Sequence, residues 1–245
     1  MPQKKETAVA VKEETGLSAN VAMSSNIDVD PEIVAPPRIQ CAQALSDVVK
    51  DSKVKIGSYY STATQEDLGG QLKFIPLLIK QGAVYMTPEK GLVCRSADGR
   101  TNMEGKACSS CPHGVYHKTW VDGQPPACSA QINCIVVLPE YNHMAAVLSF
   151  GRSNFKEGKD LVAKIRWSSK INEPFEGLFT LGSKATNSGK GEYFAMKIMS
   201  MEPVERDMVG QLKEFAEGFK GVDVNREESV AVDDVEEPEG TDIPL

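Results

Sequence analysis

"SNFKEGKDLVAKIRWSS", residues 153–169, changes the period of the chain. Ser153 can cap a helix start, and Phe155, Leu161, Val162 and Ile165 then fall on one helical face, opposite a run of charges. The runs before it are of strand length: "KVKIGSYY" (53–60), "LKFIPLLIK" (72–80), "AVYMT" (83–87) with "GLVCR" (91–95), "INCIVVLP" (132–139) and "MAAVLSF" (144–150). They are rich in β-branched and aromatic residues and are bounded by Gly, Pro, Asn and Asp. After it, "FEGLFTLGSKATNSGKGEYFAMKIM" reads as two strands joined by a glycine-containing hairpin. A last helix starts near Pro203 and carries Val204, Met208, Val209, Leu212, Phe215 and Phe219 at helical spacing.

This order predicts a mainly β, α+β fold. A five-stranded Greek-key barrel of the oligonucleotide-binding type places a helix between its third and fourth strands, which is where residues 153–168 fall. Residues 1–37 lack a sustained period and end in prolines, so they read as a flexible arm. Residues 38–222 form the domain, and residues 223–245 are an acidic tail expected to be disordered.

The chain of 245 residues, 41% hydrophobic and 25% charged, has ordinary globular composition. No apolar run is long enough for a membrane span and the N-terminus lacks the apolar stretch of a signal peptide, so the expectation is a cytoplasmic protein. The net charge of −7 conceals a segregation: residues 223–245 hold nine acids against Arg226 alone, and residues 1–37 hold six acids against three lysines. The tail therefore carries −8 and the arm −3, which leaves residues 38–222 at +4. A mildly basic body on an acidic tether suits a polyanionic partner.

Between two strands lies "CRSADGRTNMEGKACSSCPHGVYHKTWVDGQPPACSAQINC" (94–134), with Cys94, Cys108, Cys111 and Cys128 in the spacing C-x13-C-x2-C-x16-C. The C-x2-C knuckle aims two thiolates at one ion, and four such ligands suit a closed structural zinc site. The insert is poor in large apolar residues, so a metal would replace the core it lacks. His113 and His117 are alternative ligands for Cys94 or Cys128; Cys134, inside an apolar strand, reads as core and Cys41 is unassigned. No HExxH, Walker, deaminase or G-x-S-x-G pattern is present, and "GSKATNSGKG" is a hairpin turn, so the chain reads as a non-enzyme.

Basic and aromatic residues interleave along the body, as single-stranded nucleic acid requires for phosphates and bases. The candidates are Tyr59, Tyr60, Lys73, Tyr85, Arg95, Trp120, Arg152, Lys170, Lys184 and Tyr193, whereas Phe74, Phe150 and Phe194 are assigned to the core.

The ending Asp242-Ile243-Pro244-Leu245 resembles the tail tip of bacterial single-stranded-DNA-binding proteins, with Leu245 where that tip has Phe. The combination of barrel, cysteine insert and acidic tail is similar to the single-stranded-DNA-binding proteins of tailed bacteriophages. The segment C-R-S-x-D-G with its following C-x2-C-P is similar to uncharacterised phage proteins. The resemblance implies a protein that coats single-stranded DNA in replication, recombination and repair, in the cytoplasm of an infected host. It also implies that Asp242, Ile243, Pro244 and Leu245 dock to replication or recombination proteins. Homo-oligomerisation is left open. The alternative is a zinc-stapled adaptor that engages polymerase or host transcription machinery without coating DNA.

Overall fold

Among the described residues nine strands, rather than the five expected, form the scaffold. The computed structural model describes residues 36–87, 91–113, 127–188 and 191–221. Along the chain these are β1 (Arg38–Cys41), α1 (Asp47–Lys50), β2 (Tyr59–Ser61), β3 (Asp67–Gly69), β4 (Gln71–Thr87), β5 (Gly91–Ser96), β6 (Cys128–Leu138) and β7 (Met144–Gly151). They are followed by α2 (Phe155–Arg166), β8 (Gly177–Ser188), β9 (Gly191–Pro203) and α3 (Arg206–Gly218). The strands make one curled, open sheet in the order β3-β2-β1-β7-β6-β4-β8-β9, with β5 added alongside β4.

The long strand β4 organises the sheet. Its residues 71–74 pair with β8, and from Ile75 onward it pairs with β6. The ladder to β6 slips between Pro76 and Leu78. Proline has no N–H to give a ladder, so the slip falls where a regular pairing would lose a bond anyway. The two runs 72–80 and 83–87 are thus one strand; the intervening Gly82 lies in register opposite Gln131. The expected strand 53–60 contracts to β2, and β6 begins at Cys128 rather than Ile132. Strands β1 and β3 and the one-turn helix α1 are additions to the expected order.

The two larger cores lie on opposite faces, and a small third one gathers Ala42, Val48, Val54 and Tyr60. On one, Ile132, Cys134, Val136 and Leu138 of β6 and Ala146, Leu148 and Phe150 of β7 meet Phe74, Phe179 and Leu181, closed by Leu161 and Ile165 of α2. On the other, Ile135, Val137, Ile75 and Leu77 meet Leu212 and Ala216 of α3. Each aliphatic side chain so buried contributes about 1.5–3 kcal/mol. Helix α2 approaches the sheet closely at Gly158, where a Cβ would lie 2.7 Å from the Cβ of Phe150.

The seam of the curled sheet lies between β1 and β9. β1 runs parallel to β7, pairing Arg38 with Val147 and Ile39 with Leu148. The facing edge of β9 is satisfied by side chains. The Gln43 carboxamide donates to Phe194 O at 2.9 Å and accepts from Phe194 N at 2.8 Å. Met196 N donates to Asn154 Oδ1 at 2.9 Å, and Ile198 N to a Glu157 carboxylate oxygen at 3.2 Å. Three side chains thereby cap an edge that would otherwise offer free ladder groups.

Candidate functional site

Alternation along three neighbouring strands builds the first site. Arg38 and Gln40 alternate with buried Ile39 and Cys41 on β1, Ser129 and Gln131 precede Ile132 and Cys134 on β6, and Ser149 and Gly151 alternate with Leu148 and Phe150 on β7. Directly opposed residues of an antiparallel pair share a face, so the pair Gln131 and Gly151 turns its polar side away from the core. The resulting open groove measures about 390 Å³. It is lined by Arg38, Gln40, Gln43, Ser129, Gln131, Ser149, Arg152 and Asn154, with Val84, Met86 and Met196 as apolar footing. Among the described residues no carboxylate lines it, although acids outnumber bases in the chain. Arg38 donates through Nη1 to Ser149 Oγ at 3.0 Å, which lays its guanidinium along the groove. Arg152 is exposed and has φ +48°, a left-handed conformation that costs a side-chain-bearing residue about 1–3 kcal/mol. It stands where β7 passes into the short 3-10 turn Arg152–Asn154 ahead of α2. Two cations, amide and hydroxyl groups and two thioethers can hold a chain that is anionic along one side and has flat apolar faces along the other.

The second site is the cysteine insert. Asp98 ties its first turn: Oδ1 accepts from Arg100 N at 2.7 Å, Thr101 N at 2.8 Å and Ser96 Oγ at 3.1 Å. These bonds, the Thr101 and Arg100 amides foremost, hold the Asp98 carboxyl below the usual carboxylate range. Cys108 N then donates to Arg100 O and Cys111 N to Cys108 O, forming the knuckle. Cys128 N donates to His113 O at 3.0 Å, returning the chain to the sheet. Cys94, Cys108, Cys111, Cys128 and His113 all line one cavity of about 20 Å³, together with Tyr85, Ala83, Ser96, Gly99 and Asn102. The His113 ring stacks on Tyr85 with centroids 4.8 Å apart. None of these four described cysteines is in a disulfide, and thiols with an imidazole are the donors a soft divalent ion takes. Among the described residues no three His, Cys, Asp or Glu side chains converge on one point, so the donor set fits such an ion while its side chains stand apart. Burial pushes the Cys41 thiol up to about 11 and raises that of Cys134 as well, which favours the protonated thiol in both at neutral pH.

The remaining expected contacts scatter. Tyr59 and Tyr60 are core residues, which corrects their assignment as stacking faces: Tyr59 is 0% exposed and donates to Gly182 O at 2.7 Å, and Tyr60 packs with Ala42, Val48 and Val54. Tyr59 enters the main core on one face of β2, and Ala42, Val48 of α1 and Val54 cover Tyr60 on the other. Lys73 pairs with Glu140 at 2.9 Å, and Tyr85 belongs to the cysteine cavity. Arg95 lies opposite Val84 on the groove side of the sheet. Lys170 and Lys184 are exposed and Tyr193 is half-buried, none of them in the groove. Trp120, His117 and the tip Asp242, Ile243, Pro244 and Leu245 lie outside the described residues. Of the nine expected contacts among the described residues, Arg152 alone lines the groove. Missed were Arg38, Gln40, Gln43, Gln131 and Asn154. The alternation of Ser129, Gln131 and Asn133 with Ala130, Ile132 and Cys134 was the available signal.

A sequence profile of the family described as Pam3 phage gp34-like protein matches residues 6–225. No curated protein and no solved structure matches the chain. Among the described residues no helix is long and apolar enough to cross a membrane.

Proposed function

The chain belongs to the Pam3 phage gp34-like protein family, and on that premise we propose that it is a sequence-tolerant single-stranded-DNA-binding protein of phage replication, recombination and repair. The observation that carries this reading is the groove holding Arg38 and Arg152, with no carboxylate among its described lining residues, in a protein of net charge −7. A surface whose described lining holds two arginines and no acid, in a chain rich in acids, suits an anion.

The topology supports the same reading. β4 pairs with both β6 and β8, β6–β7 and β8–β9 are hairpins, and α2 connects them. That is the connectivity of an oligonucleotide-binding barrel on five of the nine strands, with β1 in the place where such a barrel closes. The strand would cross the sheet with phosphates at the arginines, amides on base edges, and Met86 and Met196 under base faces. The amides and hydroxyls can serve any base, so recognition would be tolerant of sequence. The acidic tail, with its apolar tip, would recruit replication or recombination proteins.

The adaptor reading draws on one specific feature. Met86, Leu92 and Val93 are exposed on the β4–β5 hairpin and Met103 beside it, a surface suited to a protein partner. Anisotropy of a labelled oligo-dT against full-length protein separates the two. Binding at low salt that an unlabelled mixed-sequence strand competes as well as oligo-dT, and that duplex competes poorly, is expected. Absence of binding at low salt leaves only the adaptor.

A further inference from the structure

The geometry points to a metal shell of three sulfurs and one imidazole in the cysteine cavity: Cys108, Cys111, His113 and a single cysteine of the sheet. The registers decide it. Tyr85 of β4 is paired with Cys94 of β5 on one side and with Cys128 of β6 on the other. The two cysteines therefore project from the same face with a whole strand between them, at two strand spacings or about 10 Å. Side chains stand roughly perpendicular to a sheet, so the sulfurs inherit that separation. Two thiolates bonded to one tetrahedral zinc at about 2.3 Å must lie within about 4 Å of each other. The Tyr85 side chain, rising between them, closes the gap to any compromise. One ion can take Cys94 or Cys128, and the other thiol is left out.

The fourth place in the shell falls to His113. Its ring lines the same cavity, is held flat against Tyr85, and follows the knuckle by two residues, while its carbonyl is bonded to the Cys128 amide. Among the described residues it is the single non-cysteine side chain of the cavity with a metal-ligating nitrogen. Convergence requires these side chains to move, since among the described residues they stand apart. The ion would join the knuckle to the sheet edge where β4, β5 and β6 extend beyond the core, a place with few large apolar residues to hold it.

The test uses the full chain purified with zinc. Elemental analysis is expected to give one zinc per chain. Alkylation of that form with N-ethylmaleimide and peptide mapping needs no variant: one of Cys94 and Cys128 reacts, and Cys108, Cys111 and the other are protected. Replacement of zinc by cobalt gives the spectroscopic readout. Either Cys94→Ser or Cys128→Ser leaves the sulfur-to-cobalt band unchanged, while the other lowers it by about one third, as expected for one thiolate of three. His113→Gln shifts the visible cobalt envelope without lowering that band. Protection of all four thiols, with both sheet variants losing sulfur intensity and His113→Gln silent, would overturn the ligand set. A chain without bound zinc would overturn the site.

Discussion

Replacing Gly158 and Gly210 by alanine tests the packing that positions the groove, because the same change should act in opposite directions at the two places. In an exposed helix interior, Gly→Ala gains about 1 kcal/mol from backbone entropy. Gly210 of α3 is exposed and has nothing within 4 Å of the place an added methyl would take, so Gly210→Ala should collect that gain. At Gly158 the same methyl would meet Phe150 Cβ at 2.7 Å and Ile132 Cβ at 3.1 Å. Both are bonded directly to sheet backbone and cannot swing aside. The overpacking penalty in a close-packed core is about 1–3 kcal/mol, and contacts to two Cβ atoms place it at the upper end. Net of the helix gain, Gly158→Ala should cost about 1–2 kcal/mol. For a domain of this size, about 1 kcal/mol moves the melting temperature by about 2–4 °C. Thermal denaturation followed by circular dichroism should show Gly210→Ala about 2–4 °C above wild type and Gly158→Ala several degrees below. Equal stabilisation by both would mean that α2 does not rest on Phe150 and Ile132, and that Arg152 and Asn154, just ahead of it, are not held where the groove needs them.

Three other outcomes follow from particular bonds and charges. Gln43→Ala removes both bonds to the Phe194 peptide and should cost about 1–2 kcal/mol, with hydrogen exchange at Phe194 speeding about tenfold; an unchanged rate would mean that the seam closes without Gln43. The depressed Asp98 carboxyl stabilises the insert above its ordinary titration range, and that support is lost as pH falls through the lowered value. The Arg100 and Thr101 amide shifts in an NMR titration should therefore move at a pH below that of an unperturbed aspartate, and movement at the ordinary value would refute the turn. Deleting residues 223–245, which carry nine acids against one arginine, should tighten binding to oligo-dT at low salt by removing an internal competitor; unchanged affinity would show that the tail never visits the groove.

Local pattern revealed those parts of the fold whose burial is decided by the element itself. α2, α3, β7 and the β8–β9 hairpin each carry their own periodicity. β1 and β3 were hidden, because strands of four and three residues have too little period to see and β1 pairs with a strand more than a hundred residues later. Gly82 inside β4 read as a break, although β6 supplies the pairing that keeps the strand continuous there. Tyr59 and Tyr60 looked exposable because their polar edges permit it; the cover that buries them comes from outside β2. The four cysteines were visible from spacing, but the placing of Cys94 and Cys128 on either side of Tyr85 is a property of register. Arg38 and Arg152, more than a hundred positions apart, meet only because β1 lies along β7.

The central claim is that this groove carries the phosphates of a single strand, and the salt dependence of binding with and without its two arginines tests it most directly. Each phosphate contact on a single strand contributes about 0.7 to the slope of log K against log salt concentration. Arg38→Gln with Arg152→Gln should therefore make the slope shallower by about 1.4 and weaken oligo-dT binding at low salt, with the melt held near that of the wild type. A double variant that binds with the wild-type slope would contradict the account.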